Sequence, residues 1–136
     1  MTDHLLVQPL RLQHHGRTLE ILEAADGIAR ISFSDLCGKP YDANDYLELS
    51  KNVHTLFLTR IPKMDMNERN EARRFITLLD ALYESKTKLI ISANVSMEEL
   101  FPVISENPND EEVFAFRRTL SRLKEMQSEA VSSFSL

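Results

Sequence analysis

At 136 residues, 43% of them hydrophobic and 27% charged, the chain has the size and apolar content of one compact domain. A formal net charge of −5 and a sequence pI near 5.4 exclude indiscriminate binding to nucleic acid or anionic lipid, and no specific nucleic acid is expected as a partner. The single cysteine, Cys37, excludes an intramolecular disulfide and a multi-cysteine zinc site, and no run approaches the ~20 apolar residues that span a bilayer.

The opening MTDHLLVQPL has neither a basic leader nor a long apolar core, so no targeting peptide is expected within it. Leu10 to Leu12, Arg17 to Leu22 and Gly27 to Phe33 read as strands, the first joined to the second through His14-His15-Gly16. In the third, Ala29, Ile31 and Phe33 share one face and Ile28, Arg30 and Ser32 the other. Asp26-Gly27 is a turn signal that would fold the second strand onto the third, which makes the N-terminal third a small antiparallel element.

Ser34 to Lys39 is predicted as one helical turn ending near Gly38, and Asp42 to Lys51 as a short helix capped by Asp42 with Asp45 three positions on. Val53 to Ile61 is a nearly continuous apolar run stopped by Pro62, the pattern of a central strand covered on both faces. Asp65 with Glu68 caps the next helix, where Ala72, Phe75, Ile76, Leu79, Leu82 and Tyr83 recur at helical spacing. Leu89 to Ala93 is again a strand.

Residues 53–93 therefore read as a strand-helix-strand unit, a right-handed crossover between parallel strands. Without neighbouring strands it would expose a sheet edge at which two chains could pair. Ser96 to Asp110, with Pro102 and Pro108, is predicted as a loop after a turn at Met97 to Leu100. Asn109 and Glu112 suit the start of a last helix whose Val113, Phe116, Leu120 and Leu123 form its apolar stripe, and the tail after Glu129 is expected to fray. The fold class is α/β in a single domain over 1–136: a parallel unit at 53–93, an N-terminal antiparallel hairpin and a C-terminal amphipathic helix.

Chemistry is sparse. A phosphate-cradling P-loop needs glycines and a Lys-Ser or Lys-Thr pair; the chain has three glycines, and Gly38-Lys39 runs into Pro40. Neither apolar strand ends in the carboxylate that a magnesium site requires, so no nucleotide hydrolysis is expected from this chain alone. Cys37 with His14, His15 or His54 has the residue types of a thiol nucleophile and its base, but a buried thiol and turn histidines account for them. Adjacent His14 and His15 point to opposite faces of an extended chain and cannot share a metal. Asp42 and Asp45 read as caps rather than as an acid–base pair.

The arginines carry more. Arg73 and Asp80 fall nearly on one line along their helix with Thr77 beside them, at the margin of the apolar face, where Arg73 would be held; Arg74 would point to solvent. Arg118 and Arg122 are one turn apart, with Ser121 and Glu125 on the same side, a row suited to an anion, a neighbouring domain or solvent.

Four stretches in order, GRTLEI (16–21), DLCGKPYDANDYLELSKNVHTLFLTRIP (35–62), NEARRFITLLDALYESKTKLIISA (70–93) and FAFRRTLSRLKEMQS (114–128), resemble the C-terminal region of the AAA+ ATPases called ZapE in bacteria. Their mitochondrial relatives are the ATPase family gene 1-like proteins. The resemblance is carried by Leu36-Cys37, Asp45-Tyr46, Arg73 to Ile76 and Ser121 to Leu123, and it covers nearly the whole chain; two histidines before Gly16 depart from it. It implies that the Walker A and Walker B motifs belong N-terminal to these residues, and that ATP and magnesium serve the full-length protein while this chain holds no cofactor of its own.

The same resemblance implies as partners the N-terminal ATPase core of the same protein, neighbouring subunits of a ring, and client proteins. Arg118 and Arg122 become candidates for sensing nucleotide; Arg73, Arg74 and Asp80 become candidates for the interface with the core. It further implies intracellular work: cell division in a bacterial cytoplasm, or protein quality control in the mitochondrion of a eukaryote. The other reading is a stand-alone module that binds a partner protein through residues 96–110 and the last helix, without nucleotide chemistry.

Overall fold

A computed structural model describes residues 8–14, 16–100 and 111–134. The strands are β1 (Leu10–His14), β2 (Arg17–Ile21), β3 (Glu23–Ala25), β4 (Ile28–Ser32), β5 (Thr55–Ile61) and β6 (Lys88–Ala93). The helices are α1 (Phe33–Cys37), α2 (Ala43–Asn52), α3 (Arg69–Glu84) and α4 (Glu111–Phe134), with 3₁₀ turns at Met66–Glu68 and Met97–Glu99. The α/β class, the N-terminal hairpin, the parallel unit and the C-terminal helix are all present.

The hairpin has different partners from those expected. β2 pairs antiparallel with β1, Leu12 opposite Leu19, and the chain bends at Leu22 before β3 pairs with β4. The Asp26-Gly27 turn is real, but it joins β3 to β4: both residues are left-handed, with φ of 52° and 80°, and Ala25 faces Ile28 across it. Two left-handed residues in a two-residue loop make the hairpin turn whose twist suits its strands. Gly27 is required twice, because a Cβ there would lie 2.6 Å from Cδ2 of His54.

β4 does not stay within an antiparallel element. It pairs in parallel with β5, Ala29 opposite Leu56 and Ile31 opposite Leu58, giving a second sheet in the order β3-β4-β5-β6 with β5 central. The stretch through α1 and α2 is long enough for the crossover that a parallel pair demands. Phe33, expected at the end of a strand, instead opens α1, where Ser32 caps the helix by accepting from the Asp35 amide at 3.2 Å.

The cap signals hold elsewhere. Asp42 and Asp45 form a reciprocal capping box on α2, and Asp65 and Glu68 form another at the 3₁₀ turn that leads into α3. Asp45 is buried, with the Arg17 guanidinium 3.7 Å away. α3 buries the predicted apolar residues except Tyr83, and adds Leu78 and Ala81. α4 continues to Phe134, beyond the fraying expected after Glu129, since nothing in AVSSF breaks a helix. Of the loop predicted from Ser96 to Asp110, residues 101–110 lie outside the described residues, as do the cap at Asn109 and His15.

α1, α2 and α3 pack on one another and on one side of the second sheet; Phe33 and Phe75 meet with ring centroids 5.8 Å apart. Ala29, Leu56, Leu58 and Leu89 are buried beneath them, with Leu56 and Leu58 at 0% exposure. At the β6 edge, Gln127 of α4 donates from Nε2 to the Leu89 carbonyl at 2.6 Å and accepts from the Ile91 amide at 3.3 Å. One side-chain amide thus takes the place of a neighbouring strand.

Candidate functional site

The arginines fall into two clusters. On the α3–α4 seam, Arg122 donates from Nη1 to Asp80 Oδ1 at 2.7 Å, and its guanidinium lies over the Tyr83 ring, 4.7 Å from the centroid. Asp80 and Tyr83 are three residues apart in α3, so they present a carboxylate and an aromatic face to the same neighbour. Arg118, one turn N-terminal in α4 and exposed, lines the same open cleft of about 610 Å³ with Glu84 and Lys86. Both partners of the Arg122 pair are partly solvated, so the pair contributes little stability, roughly 0–1 kcal/mol; its effect is to fix the planar fork in place.

The second cluster lies where α3 meets the C-terminus of α1. Arg74 donates from Nη1 to the Cys37 carbonyl at 3.2 Å. Arg74, expected to point to solvent, is instead half-buried and held here, while Arg73 is the more exposed of the two. The reason is that α1 packs beside α3 on the flank where Arg74 emerges, a contact no helical period discloses. The partner of Asp80 is Arg122 rather than Arg73, and Thr77 bonds back to the Arg73 carbonyl at 3.0 Å.

Cys37 is buried, and loss of solvation pushes its thiol up to about 12. No thiolate forms near neutral pH, which removes Cys37 as a nucleophile. Burial likewise raises the Tyr46 hydroxyl, which donates to the Leu36 carbonyl at 2.9 Å. His54 is tied to the Asp26 carbonyl and the Thr55 hydroxyl at 3.0 and 2.8 Å, a structural arrangement. Among the described residues no group of His, Cys, Asp and Glu is placed to hold a metal ion, and no helix is long and apolar enough to cross a membrane.

Two residues of these contacts were not singled out in the sequence. Tyr83 reads as an apolar-face residue but is 38% exposed and serves as the platform for Arg122. Gln127 follows Leu123 by one turn, and a polar residue continuing an apolar stripe is the only trace it leaves.

The described residues thus form an α/β sheet flanked by helices that carry the arginines. The family model of the AFG1-like ATPases matches residues 6–133. Cell division protein ZapE of Escherichia coli is 38% identical over 118 residues, which is 87% of this chain and 30% of that protein. Lactation elevated protein 1 homolog B of Danio rerio is 30% identical over 150 residues, 91% of this chain and 30% of its own, and an uncharacterized protein of Schizosaccharomyces pombe is 34% identical over 137 residues, 85% and 30%. No solved structure matches. The chain belongs to the AFG1-like ATPase family, and it spans about 30% of the length of the curated relatives it matches.

Proposed function

We propose that this chain is the C-terminal part of a ZapE-like ATPase subunit, completing the subunit and helping to couple ATP use to the handling of client proteins. Hydrolysis belongs to a core carrying the Walker motifs, not to these residues. The observation that carries the reading is the family match across 6–133 in a chain whose three glycines build no phosphate loop. Family membership supports a setting inside the cell: cell division in a bacterial cytoplasm, or protein quality control in the mitochondrion if the source is eukaryotic. The subunit would work in a ring.

Within it, the guanidinium of Arg118 is exposed and suited to anionic oxygens, as a nucleotide sensor is, while Arg122 already holds Asp80 and Tyr83. Arg74 braces α1 against α3, and exposed Arg73 is the better of the two for contact with the core. ATP and magnesium would supply the phosphoryl chemistry at the core; this chain supplies a positioned cation.

The gene reads in frame through a P-loop upstream if this is right, and a gene without one overturns it. In the full-length protein, Arg118→Ala lowers ATP turnover by at least tenfold and Arg122→Ala by less, measured as phosphate release. Unchanged turnover in both variants removes the sensing role. A stand-alone protein-binding module is favoured by one observation, Phe114 at 54% exposure on α4; in that case the 136-residue chain captures its partner without ATP.

A further inference from the structure

Among the described residues, the parallel strands have a side on which no helix lies. α3 contacts both α1 and α2, and α1 contacts β4 and β5, so all three crossover helices lie on the side that buries Leu56 and Leu58. The residues alternating with these point the other way. Arg30 stands opposite Phe57, and Phe57 opposite Ile90; Ile28 stands opposite Thr55, and Thr55 opposite Lys88. Ile28, Phe57 and Ile90 are half-buried, while Arg30 and Lys88 are exposed at the two flanks.

A strand paired in parallel on both sides, as β5 is, is ordinarily apolar on both faces and covered on both. β5 has that composition, and on the side away from the described helices Thr55 is buried at one end while Phe57 and Thr59 keep partial exposure. Toward the carboxyl ends of the strands the open face runs into a crevice of about 820 Å³ whose other wall is the outer side of β2, with Leu22 at 66% exposure on its rim. Arg60 also lines it, with a left-handed φ of 59° at the irregularity in the β5–β6 register.

We propose that this helix-free face is where the ATPase core of the same subunit seats. The inference rests on the reading above and adds the surface. The core presents an apolar ridge to Ile28, Phe57 and Ile90, with a carboxylate facing Arg30. The relatives have the material for such an occupant, since 30% of their length is matched and about 70% (100 − 30) lies outside the match. A second copy of this chain is the poorer occupant. Self-pairing centred on Phe57 lays each Arg30 toward the other copy's apolar row rather than toward a carboxylate.

Cysteine reporters test this, because the native thiol of Cys37 is buried and protonated and does not compete. Thr59→Cys and Ser92→Cys place a thiol on the open face, and Lys51→Cys places a control on exposed α2. Maleimide labelling rates are compared between the 136-residue chain and the full-length gene product. The expected result is a fall of at least tenfold at 59 and 92 in the full-length protein, with 51 changing less than twofold. Equal rates in both proteins overturn the assignment. Protection already present in the 136-residue chain, and lost on dilution, overturns it in favour of a second copy. Phosphate release by the same full-length sample separates the two readings: an active ATPase with unprotected reporters sinks the docking face alone, and the lack of an in-frame P-loop sinks the subunit reading itself.

Discussion

The two faces of the central sheet share one backbone and differ in nearly everything else. Under the helices, Ala29, Leu56, Leu58 and Leu89 are sealed in a continuous core with Phe33, Phe75 and Leu79. On the opposite face, Phe57 and Ile90 sit in the same strands at the same depth in the register and keep contact with solvent. The difference shows that apolar composition along a strand reports the total cover it requires, while the source of that cover, within the chain or beyond it, is a separate matter.

The contrast can be broken most directly by truncating neighbours. Leu58→Ala should cost about 3 kcal/mol in urea unfolding, for lost burial plus an unfilled cavity, whereas Phe57→Ala should cost about 1 kcal/mol in this chain because its ring is already half solvated. Equal costs would mean that the second face is as closed as the first. The edge between the faces comes next. Gln127→Ala leaves the outward Leu89 carbonyl and Ile91 amide without their partner and should cost about 1–2 kcal/mol, with concentration-dependent association in light scattering. A strictly monomeric variant of wild-type stability would show that the amide seals nothing. The smallest effect has the opposite sign: Thr119 is fully buried and its hydroxyl has no hydrogen-bond partner, so Thr119→Val should raise stability by about 1 kcal/mol. A loss of stability would show that the hydroxyl is satisfied in solution.

Local signals in the sequence were reliable, as was the parallel pairing of β5 with β6 across α3, but the partners of β2 and β4 were not. The caps at Asp42, Asp45, Asp65 and Glu68, the apolar period of α3 and the Asp26-Gly27 turn were legible because each is fixed within a few residues. The partner of β2 was not, since both β1 and β4 offer alternating apolar residues and only packing chooses between them. The same limit explains Arg74. Its distance from the apolar stripe was readable, but the arrival of α1 from 37 residues away at that flank was not. Arg118 and Arg122 were legible as a row; that Asp80 and Tyr83 would fix one of them depends on α4 folding back across 42 residues to α3.

The turn at Gly27 sets a constraint that reaches beyond its own hairpin. Its carbonyl accepts from the His54 amide at 2.8 Å, while its missing side chain makes room for the His54 ring, which in turn holds the Asp26 carbonyl. Positions 27 and 54 are thereby bound into a single heritable trade of volume: a lineage that acquires a side chain at the first must surrender the imidazole at the second, and the entry of the chain into β5 drifts only when both change together.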